Sequence, residues 1–154
     1  MHLKEFLRDD FVLLSLESRD VEGVVGEMAA RATEVGIGSE EVIGAKLLER
    51  EGVHPTVMGR GLAIPHATVP GLDRPVVGVA LPGGDPIHFG WSDMDPVRLF
   101  FILLSPPGHE REHVKLLARI CRLVRHDGFM ERVEAATDPT RVTEIIRTVD
   151  ALHV

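Results

Sequence analysis

Three imidazoles and one guanidinium stand out by type and spacing. His66 closes the stretch Gly59-Arg60-Gly61-Leu62-Ala63-Ile64-Pro65-His66-Ala67, His109 and His113 bracket His109-Glu110-Arg111-Glu112-His113, and Arg50 lies upstream of both. A neutral imidazole is a nucleophile at cellular pH because its ordinary pKa lies near 6.5. Two imidazoles and a guanidinium in one cleft suit reversible phosphoryl transfer: one ring attacks phosphorus while positive groups and N–H donors hold the phosphoryl oxygens. For His113 taken alone, the competing reading is a satisfied, partly buried histidine.

The setting of His66 is stiff. Gly59 and Gly61 permit backbone conformations closed to other residues, and Leu62 to Ile64 read as a short buried strand. Pro65 fixes its own φ and biases Ile64 towards an extended conformation, so His66 leaves the strand end in a narrow range of directions. The same residues would also make an ordinary turn.

His109-Glu110-Arg111-Glu112-His113 fits the H-E-x-x-H pattern, in which two histidines one helical turn apart bind zinc beside a general base. Its context is poor for that use. Pro106-Pro107-Gly108 leaves His109 at the entrance of a helix rather than inside one. Leu116 and Arg119 stand where an extended zinc motif needs glycine and a third histidine, leaving Glu131 or Glu134 as distant ligands. A solvated first turn is the simpler account of His109, Glu110 and Glu112, and a zinc hydrolase ranks last among the readings.

The elements that must position these residues interleave. Val24, Val25, Met28, Ala29 and Ala32 recur at helical spacing within 21–35, and Ser39 caps a second helix that runs to about Arg50. The run 76–81 reads as a buried strand, Ile87-His88-Phe89 as a short edge strand, and 97–104 as the central strand. Helices are predicted from His109 to about His126, with Val114 on the packed face, over 129–136, and from Asp138-Pro139 to Val149. Around Phe11 to Leu14 the pattern fits either a strand or a helical turn. This alternation indicates an α/β sandwich.

Composition bounds what such a fold does. At 154 residues the chain suits one domain, 1–154, and 44% hydrophobic against 27% charged residues is the balance of a folded protein. A net charge of -7 argues against a general nucleic-acid binder, which concentrates Lys and Arg to neutralise phosphates. The lone Cys121 and the absence of a signal-peptide pattern fit a reducing cytoplasm. No apolar run approaches the roughly 20 residues needed to span a bilayer, so membrane contact is expected only through a partner.

Arg50-Glu51, Thr56, Gly59 through His66, and His113 at the start of the long helix together resemble the enzyme IIA domain of the bacterial phosphotransferase system, in its fructose, mannitol and nitrogen-regulatory branch (type 2). The similarity covers about 13–149 and is most specific from Leu47 to His66. It implies a central mixed β-sheet flanked by helices, and it implies a phosphohistidine carrier without cofactor or metal. His66 would be the phosphoryl acceptor through Nε2, His113 the supporting histidine and Arg50 the residue stabilising the phosphoryl group, with Thr56 and Gly61 on the substrate side of the cleft. The donor would be an HPr-type phosphocarrier protein, and the acceptor a IIB component or a regulatory target. Pro55 in place of serine, His54, Val57-Met58 and Arg60 depart from the family pattern, and Arg60 reads as a solvated side chain. The remaining alternative is an interaction module on the same fold whose histidine is not phosphorylated.

Overall fold

In the computed structural model, which describes residues 1–153, the hydrophobic run Leu99–Ser105 forms strand β6 at the middle of a six-stranded sheet. Every one of its residues is buried. Successive side chains of a strand point to opposite faces, so Leu99, Phe101 and Leu103 enter one core while Phe100, Ile102 and Leu104 enter the other. Strand β6 thereby ties the two layers of the molecule together.

The other strands are β1 (Leu7–Leu13), β2 (Val57–Gly59), β3 (Leu62–Ala63), β4 (His66–Thr68) and β5 (Val76–Ala80). Their order is β1-β5-β6-β3-β2, and β4 also pairs with β6. The sheet is mixed: β5 runs antiparallel to β6, while β3 and β4 run parallel to it. Helices α1 (Val21–Glu34) and α2 (Glu40–Glu51) cover one face; α3 (Glu110–Leu123), α4 (Phe129–Ala135) and α5 (Pro139–Asp150) cover the other. Asp20, Ser39 and Asp138 each accept a main-chain N–H at the start of α1, α2 and α5, where four donors would otherwise lack partners. None of the described helices is long and apolar enough to cross a membrane.

Several expectations change. The segment that fitted strand or turn is β1, parallel to β5 at the sheet edge. Its Arg8-Asp9-Asp10 hides the alternation, because Arg8 binds Asp10 while Asp9 accepts from Thr143 and Arg147 of α5. Charge on an outer strand also discourages pairing with a second sheet. Ile87 makes only an isolated bridge to Val97, so 87–89 is not a strand. Val114, expected on the packed face of α3, is 64% exposed; the buried side is formed by Leu116, Arg119, Ile120 and Leu123.

Candidate functional site

His66 opens β4 instead of projecting from the end of β3. Pro65 has no N–H to contribute to the ladder, so β3 stops at Ala63; the Pro65 carbonyl still accepts from the N–H of Leu103, and His66 resumes pairing opposite Leu103. This break turns the Ile64 carbonyl towards the ring. It lies 2.6 Å from His66 Nδ1. A carbonyl only accepts, so Nδ1 carries the proton and the neutral ring keeps its lone pair on Nε2. Burial lowers the His66 pKa, the Ile64 carbonyl opposes that shift, and the Arg50 charge reinforces it.

His113 stands in the first turn of α3, its ring centroid 5.2 Å from that of His66 in an edge-on arrangement. Its Nδ1 lies 2.8 Å from Oγ of Ser105, the last residue of β6. Burial, then the His66 and Arg50 charges, depress its pKa to about 4. Both rings are therefore neutral near pH 7. His109 faces elsewhere: it stands at the N-cap position of α3 without a side-chain cap bond, and its Nδ1 pairs with Glu112, while Glu110 accepts from the Gly108 N–H. Among the described residues, no three His, Cys, Asp or Glu side chains gather into a group that could hold a metal.

Arg50, in the last turn of α2, reaches the same cleft, and its Nη1 donates to the His54 carbonyl at 2.8 Å. The loop that supplies this carbonyl is closed by Glu51, whose buried carboxylate accepts from the Thr56 N–H (2.6 Å) and the Thr56 hydroxyl (2.8 Å). Burial raises the Glu51 pKa while both Thr56 donors work against it. The His54 ring turns away from the cleft, edge-on to Trp91 at 4.7 Å.

The cleft itself has a volume of about 310 Å³ and is lined by Lys46, Glu49, Arg50, Val53, His66, Ala67, Thr68 and His113. It brings together the three residues expected to do chemistry, but not Thr56 or Gly61. Thr56 is 2% exposed, and its hydroxyl is committed to Glu51. Gly61 borders a separate cavity together with Arg60 and Arg98. Its φ of +80° and the Arg98 side chain 3.0 Å from where a Cβ would sit explain the glycine without a ligand. Arg60 shares this left-handed turn at φ 56° and is exposed, as expected of a solvated side chain. Ser105, Lys46, Glu49 and Thr68 were missed. For Lys46 and Glu49 a signal existed: positions 46, 49 and 50 share one helical face.

Residues 5–149 match the family model described as "Phosphoenolpyruvate-dependent sugar phosphotransferase system, EIIA 2". A nitrogen regulatory protein of Bradyrhizobium diazoefficiens is 32% identical over 146 residues, covering 95% of each chain. Among solved structures, the nitrogen regulatory protein IIA-Ntr of Neisseria meningitidis superposes with a TM-score of 0.84 at 24% identity, over 94% of this chain and 98% of that one. Enzyme IIA mannitol of Escherichia coli, in complex with phosphorylated enzyme IIB mannitol, gives a TM-score of 0.76 at 18% identity, over 92% and 98%. The two superpositions establish the α/β fold of a mixed sheet flanked by helices.

Proposed function

The chain belongs to the EIIA 2 family of the phosphoenolpyruvate-dependent sugar phosphotransferase system, whose members are phosphocarrier and regulatory components, and from that premise we propose that His66 accepts a phosphoryl group on Nε2 from an HPr-type phosphocarrier protein. The observation that carries this reading is the 2.6 Å contact from Nδ1 to the Ile64 carbonyl, which leaves Nε2 as the nucleophilic nitrogen of a neutral ring. The Nε2 lone pair attacks phosphorus as the donor's N–P bond breaks and that bond's electron pair returns to the donor nitrogen. Nδ1 keeps its proton on Ile64. The phosphorylated ring is then cationic, which makes it a good leaving group in the next transfer.

Arg50 holds the phosphoryl oxygens, oriented by the His54 carbonyl. Oγ of Ser105 meets Nδ1 of His113 at 2.8 Å, and in the tautomer in which the hydroxyl donates, Nε2 of that ring carries the proton as a further donor to the phosphoryl group. Thr56 supports the site by closing the loop that carries His54. The acceptor is a IIB component, as enzyme IIA mannitol has in its complex, or a regulatory target whose activity follows the phosphorylation state. The 32% identity to a nitrogen regulatory protein over nearly the full length favours the regulatory branch. The lone, half-buried Cys121 and a site that needs no membrane-spanning helix suit a cytoplasmic carrier of one domain.

The test is incubation of the purified chain with phosphoenolpyruvate, enzyme I and an HPr-type carrier, followed by intact mass under alkaline conditions. One added phosphate, absent in His66→Ala, is expected. No added phosphate on the wild-type chain would leave the unphosphorylated interaction module as the better reading.

A further inference from the structure

The cleft beside His66 holds a second cation for which the proposed transfer has so far assigned no task. Lys46 and Arg50 stand four residues apart on α2, hence on one helical face and about 6 Å apart along the axis. Both line the cleft, opposite β4, where Thr68 follows His66 by two residues. Lys46 is half-buried and makes no hydrogen bond or ion pair with another described residue. Arg50, by contrast, has one of its donors committed to the His54 carbonyl.

Charge decides what this arrangement does. With both imidazoles neutral, the cleft carries Lys46 and Arg50 against the carboxylate of Glu49. Its lining is therefore net positive in a chain whose formal charge is -7. Without Lys46, Glu49 would cancel Arg50, and a phosphoryl dianion would enter a neutral pocket on an acidic protein. A lysine ammonium is a compact point charge on a flexible stem, suited to following phosphoryl oxygens as they move from donor to acceptor.

We propose that Lys46 is a second cationic contact for the phosphoryl group, binding its oxygens beside Arg50 and offsetting Glu49. This rests on His66 being the phosphoryl acceptor. Lys46 exchanges no proton in the step: the new Nε2–P bond forms as the donor's N–P bond breaks, and the electron pair and proton balance lie wholly with the donor nitrogen.

Phosphoramidate serves as a small donor that isolates the cleft from protein docking, its protonated amine leaving as ammonia. Phosphohistidine formation is followed by intact mass in wild type, Lys46→Met, Lys46→Arg, Glu49→Gln and the Lys46→Met/Glu49→Gln pair. Loss of one partly screened charge-assisted contact is expected to slow Lys46→Met about fivefold to tenfold. Lys46→Arg stays within about twofold of wild type, and Glu49→Gln reacts faster, because the net charge rather than the particular side chain sets the approach of the dianion. The double variant recovers most of the lost rate, and rising salt narrows the gap between Lys46→Met and wild type. Equal rates for wild type and Lys46→Met would overturn the assignment while leaving His66 in place. A loss rescued by neither Lys46→Arg nor Glu49→Gln would overturn it too, as the mark of a structural role. A wild-type chain that accepts phosphate neither from phosphoramidate nor from the carrier protein would remove the His66 reading and the Lys46 contact together.

Discussion

Two imidazoles with centroids 5.2 Å apart, beside a guanidinium, are costly to charge. Burial first, and then the His66 and Arg50 charges, depress His113 to about 4, and burial followed by the Arg50 charge lowers His66 in the same sense. The sign of the stability effect follows. An unfolded histidine titrates near 6.5, so between about 4 and 6.5 the unfolded chain binds protons that the folded chain refuses, and stability rises with pH across that window. It is fully present above about pH 6.5 and is lost as the pH falls towards 4. Urea midpoints of the unphosphorylated protein should therefore fall over this range, and His113→Gln should flatten the dependence; an unchanged slope in the variant would show that His113 does not supply it. That His66, His113 and Arg50 share one cleft was legible through the family resemblance, because the His66 stretch taken alone also fits an ordinary turn and His113 taken alone a satisfied histidine. The sequence left Ser105 unmarked, since a serine before Pro106-Pro107 is equally ordinary turn chemistry. The tautomer of His66 was illegible for another reason: its partner is a main-chain carbonyl aimed by the break at Pro65.

At the scale of elements, the turn after α2 is what delivers Arg50. Glu51 uses both carboxylate oxygens to hold Thr56 across five residues, and the loop between them presents the His54 carbonyl to Arg50. Thr56→Val removes the hydroxyl donor, keeps the N–H and preserves the shape. A lost hydrogen bond to a buried carboxylate should cost about 1.5–3 kcal/mol of stability. Phosphate acceptance by the folded protein should slow severalfold as Arg50 loses its fixed orientation, while Thr56→Ser retains both properties. Denaturant melts and phosphorylation rates measured on the same preparations check this, and a destabilised Thr56→Val that accepts phosphate at the wild-type rate would show that the loop does not position Arg50. Helix α1 was readable because its apolar residues recur over enough length to define a period, α2 and α5 because Ser39 and Asp138-Pro139 mark their starts, and β5 and β6 because each is an unbroken apolar run. Strand β3 was readable from its short apolar run, which ends one residue earlier than expected, whereas β2 and β4 have three residues each, too few to show a period, and take their conformation from pairing with β3 and β6.

At the scale of the whole molecule, the chain's two ends are tied together beneath the sheet. Asp150 of α5 accepts from the Leu3 N–H at 2.7 Å and from Nε of Arg119 at 2.9 Å, joining the N-terminal turn, α3 and α5. Arg119 carries no sequence signal of burial, because a helical charge is normally solvated. Its burial is legible only once Asp150, 31 residues away, is known to face it. Both side chains are nearly inaccessible, and Asp150→Ala removes the buried carboxylate that accepts from the Leu3 N–H and from Nε of Arg119. Loss of these two buried hydrogen bonds, one of them between charged groups, should cost about 3–5 kcal/mol. At about 2–4 °C per kcal/mol for a chain of this size, the melting temperature falls by roughly 6–20 °C. Arg119 lies six residues beyond His113 on α3, about 9 Å along the helix, and on the side that faces the core. Phosphate acceptance measured well below the melting temperature should therefore match wild type, which separates this brace from the cleft chemistry. A melting temperature within about 2 °C of wild type, less than 1 kcal/mol on the same scale, would mean that the pair contributes little to holding the ends.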